Sequence, residues 1–239
     1  MTARMPSPVI LEGAAVRLEP LAPAHLPDLL AAGGGDPEVW RWLGVPVPET
    51  EAELAAIARP LIEDDRHTPF AVVLRETGRA TGWTAYIDVP GFDDSVEIGW
   101  TWYGRAVWRT AVNTECKVLL IDHALGPLGF NRVQLKTDHL NTRSQAAIRR
   151  LGCAYEGTLR RHRRRPDGTW RDTVYFSVLD HEWPAHRARL TARPASTAST
   201  ASTARPASAA AVHPVSAAAH PVTTEAQADH QWSLGSSAT

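Results

Sequence analysis

No stretch of this chain is long and apolar enough to cross a membrane, and the opening MTARMPSPVI has no apolar core of the kind a secretory signal needs. A cytoplasmic protein with no membrane partner is expected. Cysteine is scarce: Cys116 and Cys153 form no C-x-x-C pair and have no histidine at ligand spacing, which argues against a disulfide framework or a zinc site. Both are read as reduced and structural. His123, His139 and His162 stand isolated, so no metal is expected. Charge of either sign is not in excess, with 25 Lys and Arg against 26 Asp and Glu and a net charge of −1, which argues against a dedicated nucleic-acid binder. From Thr191 to Thr239 aromatic residues are almost absent, Trp232 excepted, and Ala, Ser, Thr, Pro and His dominate. Such a segment cannot bury enough apolar surface to offset the entropy of ordering it, and disorder is expected there. The organisation read from this is a flexible start at 1–8, one domain at 9–183 and a low-complexity tail at 184–239.

What is present centres on 96–151. Val96 to Tyr103 (VEIGWTWY) places Val96, Ile98, Trp100 and Trp102 on one face at a period of two, a strand pattern. The segment after Gly104 turns helical near 110, with Val118, Ile121 and Leu125 inward and Glu115, Lys117, Asp122 and His123 outward. Thr110 and Asn113 are candidate caps, and Gly126 and Pro127 end the helix. Asn131 to Asp138 alternates again as a second strand. The result is a βαβ crossover. The helix start, Trp108 to Thr114, offers unpaired backbone N–H groups and partial positive charge, which suit a phosphate or diphosphate. A crossover that binds nothing is the bland alternative.

WRTAVNTE at 108–115, followed by VQLKTD, N-x-x-S at 141–144 and a helix ending in LG, resembles the GNAT superfamily of acyl-CoA-dependent N-acetyltransferases, most closely its ribosomal-protein alanine and serine acetyltransferase branch. The likeness covers roughly 9–183. It implies an α/β (α+β) fold: a mixed, curved, mostly antiparallel sheet flanked by helices, with a splayed parallel strand pair at the coenzyme site. It also implies acetyl-CoA as co-substrate and an amine acceptor, either a small molecule or a protein N-terminus, with a homodimer left open. One departure stands out. The superfamily's diphosphate loop commonly carries glycines, whereas Arg109 to Asn113 reads RTAVN. Backbone N–H groups serve whatever the side chain, provided that the loop needs no positive φ. On this resemblance Arg109, Thr110, Ala111, Val112, Asn113 and Thr114 are assigned to the coenzyme, together with Trp100, Thr101, Trp102, Asn141 and Ser144.

Around this unit, Val9 to Leu21 reads as a strand turning at Glu12 and Gly13, and Pro23 to Ala32 as a helix closed by Gly33 to Gly35. Asp36 and Pro37 begin a second short helix. Glu49 to Arg66 is expected to be a helix that Pro60 kinks or splits, and 70–75 with 80–89 a hairpin leading through a polar turn at 90–94. Trp40 and Trp42 are candidate walls of an acceptor pocket, with core packing as the competing reading. A last hairpin, 155–165 with 173–179, turns at Pro166, Asp167 and Gly168 and carries RRHRRR at 160–165. That run is read as solvated, with an acidic acceptor or a coenzyme phosphate as the sharper alternatives.

Acetyl transfer needs a neutral amine, and alkylamines titrate near about 10.4 against about 8 for an α-amino group, so a base helps the former most. Glu97 is the candidate base. Its place in VEIGW matches that of the catalytic glutamate in several GNAT families, and aromatic surroundings would raise its pKa. The competing reading is a carboxylate that ties down a neighbouring strand. Backbone N–H groups around Trp100 to Trp102 could meet the oxyanion. Where many relatives place a tyrosine to protonate the thiolate, Ile148 stands, and Ser144 is the substitute; capping is the bland role of Asn141 and Ser144. The competing function is a catalytically silent acyl-CoA-binding module.

Overall fold

The structure, a computed structural model, describes residues 3–87, 93–165 and 167–192. The expected turn residues 90–92, Pro166 and the tail from 193 onward lie outside them. Eight strands form one sheet in the order β1-β2-β3-β4-β5-β6-β8-β7. They are β1 (Leu11–Glu12), β2 (Val16–Pro20), β3 (Thr68–Leu74), β4 (Ala80–Ile87), β5 (Ser95–Tyr103), β6 (Arg132–Asp138), β7 (Ala154–Arg164) and β8 (Trp170–Leu179). All neighbours are antiparallel except β5 and β6. The sheet is therefore mixed, as the resemblance implies.

Each face of the sheet carries its own core. Helices α4 (Val112–Leu125) and α5 (Thr142–Leu151) cover one face, where Cys116, Leu120 and Ile121 meet Val96, Ile98, Val133 and Phe176. Helices α1 (Leu26–Gly33), α2 (Pro37–Trp40) and α3 (Glu51–Glu63) cover the other. There Trp40, Trp83 and Trp102 pack at ring separations of 4.9 to 5.7 Å, each pair worth about 1 kcal/mol beyond the area it buries. Trp40 is 1% exposed and donates its indole N–H to Gly33 O at 2.7 Å. It is a core residue, not a pocket wall.

Local chemistry accounts for the helix starts. Asp36 accepts from Glu38 N, and Thr50 and Glu53 form a capping box at α3. α3 runs on through Pro60, contrary to the expected break, because the proline lies in the last turn on the exposed side, where one missing N–H costs little. Two further boundaries differ from expectation. Ala3 N donates to Asp94 Oδ1 and Arg4 N to Leu128 O, each at 2.8 Å, so the start of the chain is fastened to the domain. Beyond 183, helix α6 (Trp183–Ala192) packs on α5 with Trp183 buried, its indole N–H bonded to Asp122.

The one-face reading of Val96 to Trp102 fails halfway along. Val96 and Ile98 face α4, but Trp102 lies in the opposite core. A bulge intervenes: Ala85 pairs with Gly99 and Trp83 with Trp102, so β5 holds an extra residue, and Trp100 takes φ +51°. Gly82 makes room for it, since a Cβ there would stand 2.2 Å from Trp102 O.

Candidate functional site

β5 and β6 pair over three registers only, Ser95 with Arg132, Val96 with Val133 and Glu97 with Gln134. β5 then continues through the bulge to Tyr103 and β6 to Asp138 without further pairing, so the strands part. A cleft of about 1200 Å³ opens there, bordered by the parted stretches of both strands, the start of α4, the inner side of α5 and the end of the β7–β8 hairpin.

At its α4 edge the helix begins at Ala111, which supplies no side-chain cap. Thr110 Oγ1 takes the Val112 N–H at 3.3 Å, and Val107 O takes that of Thr110 at 3.4 Å. Among the described residues no acceptor meets the N–H groups of Arg109, Ala111, Asn113 or Thr114; the ladder starts with Glu115 N to Ala111 O at 2.9 Å. Unmet amides at a helix start, carrying the positive end of its dipole, fit an anion such as a diphosphate. Arg109 has φ +63°. The glycine-free loop thus does use the left-handed region, borne by an arginine at some cost in strain, because the chain must turn sharply from a 3-10 turn (Arg105–Val107) into α4. Asn113 is the second helical residue, not a cap. Trp108 braces the loop: its indole donates to Tyr103 O at 2.7 Å, and the guanidinium groups of Arg105 and Arg143 lie 5.4 and 3.9 Å from its ring.

Arg109, Thr110, Asn113 and Thr114 line the cleft, as do Trp100, Thr101, Trp102, Asn141, Ser144 and Trp42. Ala111 and Val112 do not, and the Val112 side chain is in the core. Asn141 caps α5 by accepting from Ser144 N at 3.0 Å; Ser144 is half-buried and Ile148 buried, both against the cleft.

Glu97 is 1% exposed, and its surroundings differ from the aromatic pocket expected. Its Oε2 accepts from Gln134 Nε2 at 3.0 Å and pairs with Lys136 Nζ at 2.8 Å. The carboxylate therefore spans the two strands at the last rung before they part.

Lys117, expected to face water, is 5% exposed. Its Nζ donates to Thr84 Oγ1 at 3.1 Å and Thr101 Oγ1 at 2.6 Å, on the underside of the bulge, and the residue lines the cleft. Burial pushes its pKa down to about 8. Helical phase alone would not have found it, since its partners come from β4 and β5. Burial likewise pushes both thiols, Cys116 and Cys153, up to about 12, which keeps them protonated and inert. The arginine run is mostly exposed, as read, and Arg163, Arg164 and Arg165 border the cleft, as does Arg171 across the hairpin. Arg165 grips Asp138 at 2.7 and 2.9 Å. Among the described residues no three His, Cys, Asp or Glu cluster as a metal site, and no helix is long and apolar enough to cross a membrane.

The family profile described as Acetyltransferase (GNAT) domain matches residues 15–154, more than half of the chain. The uncharacterized N-acetyltransferase p20 of Bacillus licheniformis is 27% identical over 160 residues, 65% of this chain and 88% of that protein. A GCN5-related N-acetyltransferase from Brucella melitensis superposes with a TM-score of 0.76 at 32% identity, covering 80% of this chain and 88% of its own. Mycobacterium smegmatis RimJ, solved in complex with CoA-disulfide, shares the fold at a TM-score of 0.63 and 23% identity, over 78% of this chain and 92% of its own. Splayed strands beside a helix start with unmet amides, the profile match and the Brucella superposition agree: the chain belongs to the GNAT family and is an N-acetyltransferase.

Proposed function

We propose that the protein transfers an acetyl group from acetyl-CoA to a primary amine by direct attack within a ternary complex. The observation that carries this reading is the parting of β5 from β6 after Glu97, next to four amides at the helix start that meet no acceptor among the described residues. The residues fit the coenzyme. Amides of Arg109, Ala111, Asn113 and Thr114 would hold the diphosphate, with the Arg109 side chain adding a charge-assisted contact, and the gap between the strands would take the pantetheine arm. Bound there, acetyl-CoA supplies an activated thioester.

The chain's own groups do the rest. Glu97, at the head of the gap and in contact with Lys136, receives the proton that the attacking amine must lose. Ser144, on the first turn of α5, is the hydroxyl nearest in role to the absent tyrosine, and offers the departing thiolate a hydrogen bond. The Lys117 ammonium under Thr101 adds positive potential to the wall of the gap. Trp42, half-buried at the other side, gives the acceptor an apolar surface.

The test is release of free thiol from acetyl-CoA over a panel of alkylamines and N-terminal peptides. Release that depends on the amine supports the reading; none with any amine contradicts it. Asn113→Asp sharpens the placement of the phosphates. A carboxylate on the first turn suits the helix dipole, so melting temperature should hold or rise, while coenzyme affinity should drop about tenfold through repulsion of the diphosphate. Unchanged affinity would put the phosphates elsewhere.

A further inference from the structure

Strand register continues from Glu97 across the sheet. Glu97 pairs with Gln134 and Gln134 with Ser177, and in β8 the residues Ser177, Tyr175, Thr173 and Arg171 share a face at a period of two. Arg171 pairs directly with Arg163 of β7. Both arginines therefore lie on the same face of the sheet as Glu97. α4 packs against the other face, that of Val96, Val133 and Val178. An anion held by this pair is not the diphosphate at the start of α4; it approaches from the side on which the amine must reach Glu97.

The pair is costly as it stands. Like charges directly opposite on neighbouring strands repel. Burial, and then the charges of Arg163 and Arg165, press the Arg171 pKa below its ordinary value although Asp138 and Glu97 oppose them. Asp138 is occupied by Arg165 in a two-pronged contact, and among the described residues no acceptor meets the buried Arg171 Nε. The neighbouring His162 is also pressed toward its neutral form, chiefly by burial and then by Arg163, Lys136 and Arg171. Of the two carboxylates that oppose this charge, Asp138 is engaged by Arg165, and Glu97 by Gln134 and Lys136.

Building on the acetyltransferase reading, we propose that the acceptor amine carries a carboxylate, which docks on the Arg163–Arg171 pair while the amine lies at Glu97. Two guanidinium forks at one place suit a planar carboxylate. The carboxylate can belong to an acidic residue following a peptide N-terminus or to a small amino acid.

Calorimetric titration of the full chain, with and without coenzyme A, tests this with matched probes: the peptide Ala-Glu-Glu-Ala amide against Ala-Gln-Gln-Ala amide, and free glutamate against glutamine amide. At least one acidic probe should bind about tenfold more tightly than its neutral twin, and which pair shows the preference tells peptide from small amine. Arg163→Gln with Arg171→Gln should abolish the preference, leave coenzyme A binding unchanged and not lower the melting temperature, since a repulsive pair is removed. Equal binding of the twins, binding of neither, or a preference that survives the double substitution overturns the proposal. Because the comparison is also made without coenzyme A, failure to bind the coenzyme would sink the underlying reading separately.

Discussion

Glu97→Gln should lower turnover about 10²-fold, the size of effect expected when a positioned base is lost, while the coenzyme dissociation constant stays within about twofold. Glutamine is nearly isosteric and can still accept from Gln134, so the tie between β5 and β6 is retained in shape. What goes is the charge that accepts a proton. The loss should be largest for alkylamines, which are almost wholly protonated at neutral pH, and smallest for α-amino groups, whose pKa is about 8. A plot of the loss against amine pKa is the informative measurement. If coenzyme affinity falls in step with turnover, Glu97 acts through the strand junction and the base lies elsewhere.

Lys117→Met should change the pH dependence of stability more than any other single substitution in the cleft wall. The folded-state pKa is depressed to about 8 from 10.5, so between these values the unfolded chain binds the proton that the folded chain has shed. Stability linked to this lysine is therefore present above pH 10.5 and is lost as pH falls through 8. The variant has no such dependence. Its stability relative to the parent should thus be greater at pH 7 than at pH 11 by about 3 kcal/mol, at 1.36 kcal/mol per pKa unit. Thr84 and Thr101 stand 2.7 Å apart and can satisfy each other once the amine is gone. Urea titrations of both proteins at the two pH values give the comparison; parallel curves would mean that Lys117 is not titrating in the buried place described. That a buried ammonium is kept in the wall of the gap agrees with a site that must meet negative charge.

The two residues differ in how far they were legible. Glu97 was visible as a carboxylate in a strand beside the expected gap, and both of its readings describe the same geometry, a tie across strands that opens on a cleft. Lys136, its partner, was visible only as the polar half of an alternating strand, since the pairing of β5 with β6 is parallel and not local. Lys117 was misplaced because a helix's outward side was judged from periodicity, and the hydroxyls that draw it inward lie on β4 and β5. The two turns that shape the cleft left no mark either. Trp100 and Arg109 take positive φ where no glycine or asparagine announces it. By contrast, the strands, the crossover and the caps at Asp36 and Asn141 follow from local chemistry, and the structure has them where that chemistry puts them. The arginine run was read as solvated, and most of it is exposed; that Arg163 stands against Arg171 depends on register, which lies in the fold and not in composition.

The central claim is that main-chain amides at the start of α4, beside strands that part, hold the diphosphate of a coenzyme. Amide chemical-shift perturbation on titrating the isotopically labelled protein with coenzyme A tests it most directly. The account expects saturable shifts, largest at Arg109, Ala111, Asn113 and Thr114 and along the stretch of β5 that has parted from β6; saturation with those amides unmoved, or no binding at all, would contradict it.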